Sequence, residues 1–293
     1  MLTIPPVPSI PSIPTGSSVL VPAPTTGPQR WAGAPCAVLD RDGSLVLAHR
    51  ERAGTDALVL SRSDDGGATV REVARFGPGV AGAAMLERPA LVRVEDGWRL
   101  FVGFATPGGP HWWIGALHAP TLEELPGAAV VPVLPGDDAT GFKDPVVRRG
   151  PDGTWRMWVC AHDLSEPGEE DRMSSALCTS RDGLTWSAPR TVLTPRPGAW
   201  DARGARVTAV VDVGGGRELL AYDGRASAAE NWFERTGWAT TDGVPVPDAP
   251  VTDVRYLDVL DLPDGRRRLF FEARTPTGDH ELRTALAPGL TRG

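Results

Sequence analysis

This sequence predicts an all-β fold: a five-bladed β-propeller with four-stranded antiparallel blades. Three observations predict it. A hydrophobic strand runs into a Gly turn and straight on into a second hydrophobic strand, five times along the chain. The copies lie about 50 to 60 residues apart, the spacing of propeller blades. The second strands are near-continuous apolar runs, as strands buried on both faces between stacked blades require.

The first three copies align without gaps, at residues 35–43, 89–97 and 145–153, each beginning with Pro and ending in Asp-Gly. The fourth occupies 206–214 and the fifth 257–265. Second strands follow at 45–48, 98–104, 155–160, 218–222 and 268–271. Third strands are expected at 57–60, 113–117, 175–178, 237–240 and 282–286. A fourth, outer strand is visible at 70–73 and 190–193. Between strands three and four lie Ser63-Asp64-Asp65-Gly66-Gly67 and Ser180-Arg181-Asp182-Gly183. These resemble the Asp-box turns of sialidases, where Asp and Gly shape a tight structural turn. Helical signal is confined to one short turn at 122–125.

Residues 1–29 read as a Pro-rich N-terminal arm, with eight Pro and no charge among residues 1–28. Residues 30–293 read as a single propeller domain. Within the arm, residues 18–21 are expected to add an outer strand to the last blade. Pro interrupts every apolar stretch of the arm, so no secretory signal is expected. No run approaches the roughly 18 apolar residues of a membrane span, and a cytoplasmic location is expected.

The chain has 293 residues, 41% of them hydrophobic, enough for one large core. A net charge of −7 tells against a nucleic-acid partner, which needs a basic face. Of the 30 basic residues, Lys143 is the only Lys. Cys36, Cys160 and Cys178 are odd in number and lack CxxC spacing, so they read as small buried residues. The five His form no HExxH or HxH pattern, and no metal is expected.

Innermost propeller strands line a central channel, and the residues just before each repeat face one mouth of it. Those residues are Gly33-Ala34, Glu87-Arg88, Lys143-Asp144, Gly204-Ala205 and Arg255-Tyr256. The connections from strand two to strand three open on the same side and carry Arg50, Asp223, Arg225 and Glu272. Acids and Arg therefore concentrate at the mouth. Carboxylates clustered in a cleft are an acid/base signature, which makes Glu87, Asp144, Asp223 and Glu272 the catalytic candidates. Binding candidates are Lys143, Arg50, Arg225, Asn231, Trp232, Arg235, Arg255, Tyr256, His280, Arg283 and Trp113. The long polar connection 223–235 and the Trp side chains suit a sugar ring; an excess of Arg suits an anionic ligand.

Glu87-Arg88-Pro89 and Phe142-Lys143-Asp144-Pro145 resemble the ExP and (R/K)DP strand starts of five-bladed propeller glycoside hydrolases. That superfamily holds the arabinanases and xylosidases, the fructosidases and the mannosyl phosphorylases. The segments 222–237 and 271–284 are similar to uncharacterised members. The resemblance implies a glycosidase-like hydrolase acting on a small glycoside, by carboxylate acid/base catalysis at the axial mouth. Glu87 matches the general acid. Asp144 matches the carboxylate that orients substrate or stabilises charge. Ala34 stands where the family carries an Asp, so either another acid supplies the base, with Asp223 or Glu272 the best placed, or the chain is no ordinary hydrolase. No cofactor is implied, and a monomer or weak homo-oligomer is expected. The alternative is a non-catalytic propeller binding a sugar or small anionic metabolite.

Overall fold

The computed structural model describes residues 10, 11, 13, 16–169 and 171–289. The chain is all-β among these residues, with 3-10 turns as its only helical pieces. An N-terminal strand β1 (Ser18–Val21) precedes five consecutive units. Unit one is β2 (Trp31–Leu39), β3 (Leu45–Arg52), β4 (Asp56–Ser63) and β5 (Arg71–Phe76). Unit two is β6 (Leu86–Val94), β7 (Gly97–Ala105), β8 (Trp112–Ala119) and β9 (Val131–Leu134). Unit three is β10 (Thr140–Arg149), β11 (Trp155–Asp163), β12 (Met173–Ser180) and β13 (Arg190–Leu193). Unit four is β14 (Gly204–Gly214), β15 (Arg217–Arg225) and β16 (Arg235–Thr240). Unit five is β17 (Arg255–Asp261), β18 (Arg267–Arg274) and β19 (His280–Ala287).

Within each unit, consecutive strands pair antiparallel. First strands of successive units lie side by side in a closed circuit. β2 packs on β6, β6 on β10, β10 on β14, β14 on β17, and β17 back on β2. The core follows the same circuit. One apolar cluster joins units one and two through Val46, Leu60, Leu91 and Trp98. Others join two to three through Phe101 and Trp155, three to four through Trp158 and Val207, and four to five through Trp238 and Phe271. A fifth, with Leu47, Phe270 and Leu282, joins unit five to unit one. Burying each such side chain stabilises by about 1.5–3 kcal/mol, so every seam contributes.

β1 pairs antiparallel with β19, as its apolar pattern predicts, and so gives unit five a fourth strand. The arm before Ile10 lies outside the described residues. Unit four departs from the expected four strands. Beyond β16 only isolated bridges form, at Thr236–Thr252 and Ala239–Pro245. Pro245, Pro247 and Pro250 explain this, since each lacks the N–H that a ladder needs. The short turn expected at 122–125 appears as a 3-10 turn over Leu125–Gly127.

Both Asp turns are structural. Asp65 Oδ1 accepts from the Ala68 and Thr69 amides, and Asp182 Oδ1 from Leu184 and Thr185. They join strands three and four, at the end of each unit opposite the first-strand starts. The three Cys are free and buried or half-buried.

Candidate functional site

A bulge interrupts every first strand. Its register shift falls after Gly33, Leu86, Lys143 and Arg255 in four units, and after Val207 in unit four. At three bulges a non-Gly residue takes the left-handed conformation: Ala34 at φ 50°, Asp144 at 53° and Tyr256 at 50°. Such backbone is costly for L-residues and concentrates at functional sites. The bulges re-aim side chains toward the centre of the circuit.

A cavity of about 390 Å³ opens at this end. Trp31, Trp112 and Trp232 form its aromatic walls, with Tyr256 also lining it. Its charged lining is Arg50, Glu87, Lys143, Asp171, Arg206, Arg225, Glu234 and Arg255. Trp232 is itself left-handed, at φ 71°. Trp31 holds the wall together. The guanidinium carbons of Arg50 and Arg52 lie 5.0 and 4.9 Å from its ring centre. Trp232 and His280 lie 6.3 and 6.2 Å from it.

Arg206 is the hub beneath. Its Nη1 donates to the Tyr256 hydroxyl at 2.7 Å and to Asp144 Oδ2 at 3.2 Å. Its Nη2 donates to Asp223 Oδ2 at 2.8 Å. The guanidinium carbon also stacks 3.9 Å from the Tyr256 ring centre. Asp223 accepts further bonds from Thr236 Oγ1 at 2.8 Å and the Tyr256 amide at 2.9 Å. Asp144 and Asp223 are both fully buried.

Glu272 is buried in a second cluster. Its Oε1 accepts from the Ala34 amide at 3.0 Å, and its Oε2 faces Arg255 Nη1 at 3.5 Å. Gly33 makes room for it: a Cβ there would lie 1.9 Å from Glu272 Cγ. Glu234 sits between Arg225 Nη1 and Arg255 Nε, each 2.8 Å away. Arg225 also donates to Asn231 Oδ1 at 2.9 Å. Glu87 pairs with Arg50 and lies 3.7 Å from Arg52.

These pairings set the charge states. Burial would raise the Glu87 carboxyl, but Arg50, Lys143 and Arg52 outweigh it and hold the group below the usual range. Burial is likewise overcome at Asp144, chiefly by Arg206 and Lys143, and the shift is downward. At Asp223 and Glu272 burial prevails over their Arg partners, and both are pushed up. At Glu234 the three Arg neighbours win against burial and bring the carboxyl from 4.5 to about 2. His280 falls to about 4 through burial and Arg255, so it is neutral at physiological pH.

The Glu234 shift makes a prediction. A carboxyl with a depressed folded pKa contributes stability that is present above its unfolded value and lost as pH falls. Glu234 therefore contributes on the order of 3 kcal/mol at neutral pH, lost between about pH 4.5 and 2. A Glu234→Gln variant is expected to be less stable at pH 7 and to show a flatter acid limb in denaturant titrations. An unchanged acid limb would refute this account.

Of the residues singled out from sequence, Glu87, Lys143, Arg50, Arg225, Asn231, Trp232, Arg255 and Tyr256 line the cavity. Asp144, Asp223 and Glu272 lie behind the lining, enclosed by Arg206, Arg255 and backbone amides. His280 is buried beside Trp31. Three candidates lie off the cavity. Trp113 packs 5.1 Å from the Phe104 ring in the seam between units, while its neighbour Trp112 faces the cavity. Strand alternation sends adjacent residues to opposite faces. Arg283 bonds Ser17 beside β1. Arg235 pairs with Glu230 and lies over Trp200. The candidates named from sequence omitted Arg206, Trp31, Asp171 and Met173, all of which line the cavity; Glu234, in the long polar connection 223–235, lines it too. No cluster of three or more metal-ligating side chains occurs among the described residues.

The fold is that of the propeller glycoside hydrolases and phosphorylases. The chain resembles a thermostable family-43 glycoside hydrolase over 92% of its own length and 97% of the other's, at TM-score 0.68 and 14% identity. It resembles an endo-arabinase from Bacteroides thetaiotaomicron over 94% and 98%, at TM-score 0.66 and 14% identity. A β-1,2-mannobiose phosphorylase from Listeria innocua matches over 95% and 92%, at TM-score 0.64 and 10% identity. No protein-family profile and no curated protein sequence matches the chain.

Proposed function

We propose that the five units are the blades of a five-bladed propeller, and that its axial cavity binds a small glycoside. The observation that carries this is the cavity lining. Three Trp, of which Trp232 is the exposed one, line a basin rich in forked and acidic hydrogen-bonding groups. Sugars present apolar ring faces and polar edges, and such a lining matches both. The shared fold with glycoside-processing enzymes supports a carbohydrate ligand.

A second reading is hydrolysis, and one observation favours it: Glu87 faces the cavity with Asp144 close behind in charge. Glycosyl transfer needs one protonated and one ionised carboxyl. The cations around Glu87 suit it to the ionised role, as base, nucleophile or stabiliser of positive charge. Asp223 and Glu272 are the groups pushed toward protonation, but both are enclosed. Binding without turnover is therefore the leading reading.

A panel of aryl glycosides and free sugars, screened by thermal shift and chromophore release, tests both readings. Stabilisation of the wild type without release supports the binder. Release that is lost in Glu87→Gln supports the hydrolase. If no sugar either stabilises the protein or is cleaved, the carbohydrate reading fails.

A further inference from the structure

One of the cations that line the cavity lacks a described acid partner at contact distance. Among the described residues, five cationic side chains line it, against three carboxylates. Four of the cations have partners. Arg50 pairs with Glu87, Arg225 and Arg255 share Glu234, and Arg206 holds Asp144 and Asp223. Lys143 is the exception. No described carboxylate lies within 4 Å of its ammonium, which stands over the face of Trp112, 5.1 Å from the ring centre. A cation on an aromatic face keeps most of its hydrogen-bonding capacity unused.

A second observation lies deeper. Arg88 is 2% exposed, and its Nε and Nη1 have no partner. Its one bond runs from Nη2 to the Pro35 carbonyl, at 3.1 Å. Nε of Arg50, Arg206 and Arg225, all on cavity-lining residues, is also buried and unpaired. Buried guanidinium donors without acceptors are costly. The centre of the circuit thus holds buried guanidinium donors without acceptors, beside Asp144 Oδ1, Glu234 Oε2 and Glu272 Oε2, which likewise accept no hydrogen bond.

We propose that the ligand of this cavity carries an oxyanion, a carboxylate or a phosphate, and that Lys143 is the residue that receives it. This rests on the carbohydrate reading above, and narrows it to a uronate or a sugar phosphate. Trp112 positions the ammonium, and Arg50 across Glu87 adds a second positive edge. The sugar ring then lies against Trp232, the exposed indole of the lining. A compact ammonium meets an oxyanion as a point charge, which suits either anion; no forked geometry is required.

The test is calorimetric titration with sets of sugars in three forms: neutral parent, uronate and 6-phosphate. Inorganic phosphate and acetate serve as sugar-free probes. Charged forms are expected to bind at least about 10-fold tighter than their neutral parents, with the advantage shrinking as salt rises. Lys143→Gln is expected to remove about 10- to 100-fold of the charged-form affinity and to weaken the neutral parent much less. Lys143→Arg keeps the charge and should restore part of the preference, which separates a lost charge from a damaged fold. Because Lys143 is the only Lys, reductive methylation read by peptide mass spectrometry, which separates it from the N-terminal amine, reports its occupancy. Bound anion should protect it, and neutral sugar should not.

The two anion sources separate by which charged form binds tighter. Neutral parents binding as tightly as charged forms would overturn the anion proposal and leave the carbohydrate reading standing. Phosphate or acetate protecting Lys143 while no sugar binds would keep the anion site and overturn the carbohydrate reading. A charged-form preference that survives Lys143→Gln would overturn the assignment of Lys143.

Discussion

An Arg206→Met variant is expected to lose about 3 to 5 kcal/mol of unfolding free energy at pH 7. Methionine fills much of the same volume, so the loss is electrostatic. Asp144 and Asp223 are both fully buried, and both rely on this guanidinium, at 3.2 and 2.8 Å. Removing one partner of a buried pair leaves the other as an uncompensated charge. Here one deletion strands two carboxylates from different units. The variant should also change its response to pH. With the cation gone, burial is less opposed and both carboxyls move up. A raised folded pKa contributes stability that is lost as pH rises, so the variant should gain relative stability under mildly acidic conditions. Denaturant midpoints from pH 5 to 8 read both effects. Adding Asp223→Asn should recover part of the loss, because the two sites share one interaction. A midpoint within about 0.5 kcal/mol of the wild type would show that Arg206 is not the hub described.

Trp31→Ala should come next in size, at about 3 kcal/mol, the low end for a large-to-small aromatic change. The low end applies because Trp31, though 2% exposed, borders the cavity, which water can refill. Two guanidinium groups, Trp232 and His280 all rest on this ring, so its loss removes their common support. Its Nε1 has no hydrogen-bond partner, so packing and cation–π contact account for the whole effect. Trp31→Phe should keep most of the stability. Both variants should weaken binding of any ligand that stacks in the cavity. Loss of affinity with no change in stability would contradict the supporting role assigned here.

The strand pattern was legible because its signals are local. Asp-Gly turns and apolar runs fix where strands begin and end, and five copies repeat the message. The partnership of β1 with β19 was also legible, from three apolar residues, Val19, Leu20 and Val21, in a Pro-rich arm. The centre was less so, for two physical reasons. Register was the first. The bulge of unit four falls after Val207, later in its strand than the others, so Arg206 rather than Gly204-Ala205 reaches the middle. The same one-residue ambiguity exchanged Trp113 for Trp112. Pairing was the second. Asp144, Asp223 and Glu272 carry the right chemistry at the right end of their strands. Whether a carboxylate faces a cavity or is enclosed by an Arg from another unit depends on contacts far apart in sequence, such as the 112 residues separating Tyr256 from Asp144.

The β1–β19 pairing has a kinetic consequence. Ser17 and Arg283, bonded across that seam, are 266 positions apart. Most of the polypeptide must be arranged before that contact can form. The entropy of such a closure comes due before the contact rewards it, so long-range joins of this kind slow folding. The circuit should therefore close late. Until it does, the outer edge of β19 and the cluster between units five and one remain open to solvent and to other chains. Removing residues 1–21 should accordingly abolish the slow phase in which β1 joins β19, and favour aggregation during refolding because the edge of β19 stays open. The carboxylates and cations around the cavity would keep their immediate neighbours.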